Sequence, residues 1–182
     1  MTSGAPYLSG ERVVLLPPEP EHAGILARWL NDPAVWVPFG MDTPASVEGE
    51  RQWISSLPSR EDEINLLVVE KISERPIGLA GLRNIDGFNR TARLGVLVGE
   101  ETDRGSGYGS EAVKLLLRHA FDYLGLRRVN LSVLEKNEPA LHLYRKLGFV
   151  QEGRERRAQL RGGEYLDRLH FGLFKEELRE DR

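Results

Sequence analysis

The chain has no cysteine. That excludes disulfides, cysteine-based zinc sites and any thiol nucleophile. No apolar run reaches membrane-spanning length, and no basic-then-apolar leader is visible at the N-terminus, so a cytoplasmic protein is expected. Charge of one sign is concentrated nowhere. The 25 Lys and Arg stand against 28 Asp and Glu, for a formal net charge of −3. This argues against bulk electrostatic binding to nucleic acid or to an anionic membrane. His22, His119, His142 and His170 are scattered without ligand spacing, so no metal is expected. There is no GxxxxGK[ST] loop, and the glycines do not fit GxGxxG, since Ser110 stands where the last glycine would be.

Apolar residues make up 40% of the 182 positions and include three tryptophans, enough for one core, so a single domain over residues 1–182 is expected. Met1–Ala5 reads as a loose tail. Glu11–Leu16 reads as an edge strand stopped by Pro17-Pro18. Glu21–Leu30 has helical apolar spacing and ends at the breaker Asn31-Asp32-Pro33. Trp36–Pro44 reads as loop, and Ala45–Leu57 as a second amphipathic helix carrying Val47, Trp53, Ile54 and Leu57. Then the texture turns to strands: Ile64–Val69, Pro76–Leu82 and Ala92–Val98. Short turn-rich links make them antiparallel neighbours. Glu111–Leu124 is strongly helical and stops at Gly125. Arg128–Val133 alternates as a strand. Glu138–Leu147 is a short helix, followed by Phe149–Glu152 and a hairpin of Glu155–Leu160 and Leu166–Phe174 around Gly162-Gly163. The order predicts a mixed α/β fold. A dinucleotide-binding domain would need a parallel sheet, which the short links disfavour.

The most informative stretch is Arg104-Gly105-Ser106-Gly107-Tyr108-Gly109-Ser110, between a strand and a helix. Glycines let the backbone turn tightly and approach an anion. The first amides of the new helix lack internal partners, and the helix dipole adds positive charge there. A phosphate or pyrophosphate suits such a corner. An ordinary glycine-rich turn is the alternative for this segment taken by itself.

The second distinctive stretch is Asn137-Glu-Pro-Ala140 followed by Leu143-Tyr144-Arg-Lys146-Leu-Gly148-Phe149. Each residue also has an ordinary role: Asn137 as a helix N-cap, Tyr144 as a packed aromatic, Lys146 as a solvated charge, Gly148 as a helix stop. Together the two stretches resemble the GNAT superfamily of N-acetyltransferases. Arg104, Gly107 and Gly109 match its pyrophosphate loop, [Q/R]-x-x-G-x-[G/A]. Asn137, Ala140, Tyr144, Lys146, Gly148 and Phe149 match the motif that follows it. The opening Leu8–Pro17 and the closing Tyr165-Leu-Asp167 with Phe171 resemble the branch containing ribosomal-protein N-terminal and polyamine acetyltransferases.

The resemblance implies a mostly antiparallel central sheet with splayed middle strands and flanking helices. It implies acetyl-CoA as donor, held by Arg104–Ser110, by the strand Val96-Leu97-Val98, and by Asn137, Ala140, Tyr144 and Lys146. The reaction would be direct attack of a primary amine on the thioester, which suits a chain without cysteine. Tyr144 is expected as general acid toward the departing sulfur. Glu100 and Glu101 are the candidate bases. Trp29, Trp36, Phe39, Trp53, Asp86 and Tyr165 are candidates for the acceptor site. The acceptor is read as a protein or peptide N-terminal amine, with a polyamine or aminoglycoside as the alternative and a non-catalytic acyl-CoA-binding domain as the rival of another class. A homodimer is left open.

Overall fold

A short strand pair opens the chain: β1 (Leu8–Ser9) turns back onto β2 (Val13–Leu16). The computed structural model describes residues 5–179, so the expected tail before Ala5 lies outside them. The element order continues with α1 (Ala23–Leu30), α2 (Pro33–Phe39) and α3 (Val47–Ser56), then the meander β3 (Ile64–Glu70), β4 (Arg75–Asp86) and β5 (Thr91–Val98). It ends with α4 (Tyr108–Arg118), β6 (Arg128–Leu134), α5 (Glu138–Leu147), β7 (Val150–Arg161) and β8 (Glu164–Phe174). All strands join one eight-stranded sheet in the order β1-β2-β3-β4-β5-β6-β8-β7. Every described pairing is antiparallel except β5 with β6.

Strand alternation sends neighbouring residues to opposite faces. On one face Ile77, Ala80, Leu82, Ala92 and Leu94 bury Ala112, Val113, Leu116 and Leu117 of α4. On the other, Leu67, Val69 and Leu97 meet Leu26 and Trp29 of α1 and Ile54 of α3. The helices before the meander and the helix after it therefore cover opposite faces.

The splay of the middle strands is visible in the register. β5 and β6 pair only at Thr91–Arg93 with Arg128–Asn130. Beyond that, β5 stays with β4 as far as Val98, while β6 stays with β8 as far as Leu134. From Leu94 onward the edge of β5 that faces away from β4 has no strand partner. Its backbone groups must find partners elsewhere.

The expected loop Trp36–Pro44 is in part helix. Pro33–Phe39 is helical because the supposed breaker ends one helix and starts the next. Asn31 terminates α1, Asp32 caps α2 by accepting from the Ala34 amide at 2.9 Å, and Pro33 occupies the first turn. Gly40, at φ 80°, closes it. The expected helix Glu111–Leu124 starts earlier, at Tyr108, and gives way to a π-helical turn over His119–Tyr123. The strand expected at Pro76–Leu82 runs on to Asp86. The pieces Phe149–Glu152 and Glu155–Leu160 are one strand with register shifts, β7.

Candidate active site

The corner between β5 and α4 is made of backbone. Gly105 and Gly107 have φ of 74° and 86°, a left-handed region that glycine enters freely. Gly107 is the N-cap of α4, and no side chain caps the helix. The first amides of α4 are thus left for an anion. A Cβ at Gly109 would lie 3.3 Å from a methyl of Val98, so the helix start sits close on the end of β5. The corner fits a diphosphate, and the unpaired edge of β5 fits an amide-bearing arm such as pantetheine.

Arg104 is engaged by the protein's own backbone. Its Nη2 donates to the Gly99 carbonyl at 2.6 Å, its Nε to the Val98 carbonyl at 3.3 Å, and Asp32 lies 3.5 Å away. It ties the loop to the end of β5. The cation packed on the loop is Arg12. It donates to the Ser106 carbonyl at 2.9 Å, pairs with Glu111 at 3.2 Å and lies 5.1 Å from the Tyr108 ring centroid. Sequence reasoning missed Arg12, since nothing local to β2 announces a loop more than ninety residues away.

Asn137 caps α5, its Oδ1 accepting from the Ala140 amide at 3.3 Å. Lys146 is exposed on the same helix and Ala140 half-buried. Tyr144 is buried, edge-on to Phe149 at 5.4 Å, and its hydroxyl has no hydrogen-bond partner among the described residues. Burial pushes its pKa up to about 12. It therefore holds its proton firmly at neutral pH.

On the opposite face a cavity of about 210 Å³ lies between the helices and the sheet. Trp29, Leu30, Phe39, Met41 and Trp53 form its walls. Its floor is a cross-strand row: Asn65 of β3 opposite Gly81 of β4, and Gly81 opposite Gly95 of β5. Leu97 lines the cavity from β5, whereas its neighbours Val96 and Val98 lie against the start of α4. Alternate residues of one strand so serve both halves of the site. Trp29 is seated on Gly99, where a Cβ would come within 2.2 Å of the indole.

The carboxylate on this cavity is Glu50 of α3, not Glu100 or Glu101. Glu100 accepts from Trp29 Nε1 at 2.8 Å and pairs with Arg28. Glu101 is exposed in a short turn. The side chain of Glu50 has no hydrogen-bond or ionic partner among the described residues, and burial raises its pKa above the usual carboxylate value. A signal for it exists: Glu50 stands three and four positions before Trp53 and Ile54, a charge on the apolar side of an amphipathic helix. Of the expected acceptor residues, Trp29, Phe39 and Trp53 line the cavity. Trp36, Asp86 and Tyr165 do not. Asp86 instead closes a turn by accepting from Asn89 at 2.8 Å, and Tyr165 is largely exposed.

Residues 12–150 match the profile described as an acetyltransferase (GNAT) domain. The chain belongs to the GNAT acetyltransferases. It is 30% identical over 171 residues to the SPbeta prophage-derived uncharacterized N-acetyltransferase YokL of Bacillus subtilis, covering 94% of both chains. It is 33% identical to spermidine N(1)-acetyltransferase of Escherichia coli over 108 residues, 59% of this chain and 57% of that one. The structure of spermidine N-acetyltransferase from Vibrio cholerae in complex with CoA and spermine superposes with a TM-score of 0.84 at 21% identity, covering 92% of this chain and 98% of that one. The GNAT fold, with its mostly antiparallel sheet and flanking helices, is thus the architecture expected from the motifs.

Proposed function

We propose that this GNAT chain is a single-domain transferase that moves an acetyl group from acetyl-CoA to one primary amine, the α-amino group of a peptide, by direct attack. When bound, acetyl-CoA supplies a thioester carbonyl open to an amine. The residues that would hold it are the amides of Gly105–Ser110, the free edge of β5 at Val96–Val98, and Asn137, Ala140 and Lys146 beside α5. Arg12 adds positive charge at the loop.

One observation carries the acceptor reading: an unpartnered, half-buried carboxylate, Glu50, on an aromatic cavity floored by the strand whose other side faces the glycine corner. A carboxylate there can hold an ammonium and take its proton, directly or through water. Deprotonating an α-amine near pH 7 requires about 1 kcal/mol, against about 4–5 kcal/mol for a lysine-like amine. A single unaided carboxylate suits the smaller demand.

Tyr144 holds the proton needed by the sulfur. From the ordinary phenol and thiol values, handing it over is uphill by about 2 kcal/mol. With the phenol pKa near 12 the gap widens to about 5 kcal/mol. Tyr144 therefore acts first as a hydrogen-bond donor and completes the transfer only as negative charge builds beside its hydroxyl.

The test is CoA-thiol release on mixing the protein and acetyl-CoA with a panel of peptides, polyamines and aminoglycosides. Release with peptides bearing a free N-terminus is expected. Tight CoA binding with no release for any amine would leave a binding domain and end the transferase reading.

A further inference from the structure

The floor of the acceptor cavity continues into a feature that transfer to a simple amine does not need. Two positions beyond Gly81 and Gly95, on the same face of the sheet, Arg83 of β4 stands directly opposite Arg93 of β5. Both share the face of Leu79 and Leu97, the cavity face. Arg83 lines the cavity itself, and a Cβ at Gly95 would come within 3.2 Å of its Nη2. Like charges directly opposed on a sheet are destabilising.

Several arginines of the sheet are answered by carboxylates, whereas Arg156 and Arg157 of β7, without an ion pair among the described residues, stand exposed to solvent and do not line the acceptor cavity. Arg75 pairs with Asp103 at 2.7 Å, Arg154 with Glu135 at 2.8 Å, and Arg168 with Glu155 at 3.4 Å. Among the described residues, neither Arg83 nor Arg93 has a carboxylate within ion-pair distance; Arg93 donates to Ser132 Oγ. Asp62 and Asp86 border a shallow hollow with Arg93 without pairing with it, and Asp86 is engaged by Asn89. Arg168, from β8, adds further repulsion at Arg93.

We propose that the acceptor carries a carboxylate, held by the Arg83–Arg93 pair while its amine lies toward Glu50. This rests on the transferase reading above. Paired guanidinium forks suit a carboxylate in both geometry and charge. The carboxylate can come from an acidic side chain early in a peptide or from the α-carboxyl of a free amino acid. Both present the same chemistry. A polyamine, cationic at every nitrogen, meets repulsion along this wall.

The experiment uses matched pairs: the peptides Ala-Glu-Ala-amide and Ala-Gln-Ala-amide, free alanine and alaninamide, with spermidine alongside. In at least one pair the carboxylate member is expected to show kcat/KM at least about tenfold higher, the scale of one charge-assisted hydrogen bond. A preference in the peptide pair assigns an acidic side chain; one in the alanine pair assigns the α-carboxyl. Arg83→Gln and Arg93→Gln should each shrink the preference. Neither should lower Tm, because each removes an opposed like charge. Equal rates within both pairs, a preference untouched by the substitutions, or spermidine as the best acceptor would overturn the proposal. Calorimetry adds a reading independent of turnover. N-acetyl-Ala-Glu-amide should bind at least about tenfold tighter than N-acetyl-Ala-Gln-amide, or N-acetylalanine than N-acetylalaninamide where the α-carboxyl is the one recognised, and Arg83→Gln should abolish the difference. If no amine is acetylated, the transferase reading falls, and this calorimetric difference alone decides the role of the arginines.

Discussion

The donor half of the site and the acceptor half are built from different material. The donor half is backbone: left-handed glycines, an uncapped helix start and an unpaired strand edge. The acceptor half is side chain: Trp29, Phe39, Glu50, Trp53 and Arg83, gathered over a floor of Asn65, Gly81 and Gly95. In the proposed reading, backbone amides would bind what every acyl-CoA has in common, and side chains from separate elements would distinguish one amine from another. Changes in the donor half should therefore alter all acceptors alike, and changes in the acceptor half should alter them unequally.

Tyr144 is the hinge of that comparison and the place of largest effect. Tyr144→Phe removes the proton and keeps the ring packed against Phe149. Turnover should fall by about 10²–10⁴-fold for every acceptor, the usual worth of a general acid. Acetyl-CoA affinity should change by less than about threefold, since a loss confined to turnover marks an interaction used only in the reaction. The hydroxyl has no hydrogen-bond partner to lose among the described residues, so Tm should hold. Undiminished turnover in a folded variant would remove Tyr144 from the chemistry.

Glu50→Gln probes the acceptor half alone. It should lower acceptor kcat/KM by about 10- to 100-fold and leave acetyl-CoA binding unchanged. Its pH behaviour follows from the raised pKa. The ionised form is the working one, so activity falls as pH drops through a value raised above that of an ordinary glutamate. That acid limb should vanish in the variant. Stability runs the other way. A carboxyl whose folded pKa is raised stabilises the fold at low pH and loses that contribution as pH rises through the folded value. At neutral pH Glu50 is thus a burden on the fold, and Glu50→Gln should raise Tm. A variant that keeps the acid limb, or that weakens acetyl-CoA binding instead, would move Glu50 out of the acceptor half.

The same division explains what the sequence disclosed. A backbone site is written in contiguous residues, because neighbours along the chain set φ and ψ. Gly105, Gly107, Asn137 and Tyr144 therefore stand in motifs readable along the chain. The strands of the meander were legible too, from apolar runs bounded by turn residues. The acceptor half was legible only in part. Its tryptophans stood out as large residues, but Glu50 is one glutamate among many until α3 lies over the sheet. Arg83 and Arg93 become a pair only through the β4–β5 register. Glu100 and Glu101 show the converse: closeness along the chain to β5 is not closeness to the cavity, which neither lines, and Glu100 is already held by Trp29 and Arg28. The helix α2 was hidden because an Asp-Pro pair ends one helix and starts another equally well.

The smallest effect belongs to a side chain seated on the glycine loop of the donor half. Arg12 is half-exposed and reaches the glycine loop through the Ser106 carbonyl, with Glu111 and the Tyr108 ring holding it there. A Cβ at Gly107 would come within 2.9 Å of its Nη2, so the guanidinium lies directly on the corner assigned to the diphosphate. An exposed ion pair is worth about 0–1 kcal/mol, so Arg12→Ala should leave Tm nearly unchanged. Its charge beside an anion is worth more, and CoA affinity should fall by about three- to tenfold at low ionic strength. Salt screens exposed charge, so the gap between wild type and variant should close as sodium chloride rises toward 1 M, where the screening length is about 3 Å. The ranking of acceptors should stay as it is, because Arg12 is not among the residues of the cavity. Calorimetric titration of CoA at two salt concentrations checks all of this. Identical affinities and identical salt slopes would mean that the corner binds its anion through backbone alone. A changed ranking of acceptors would mean that the two halves are not separable.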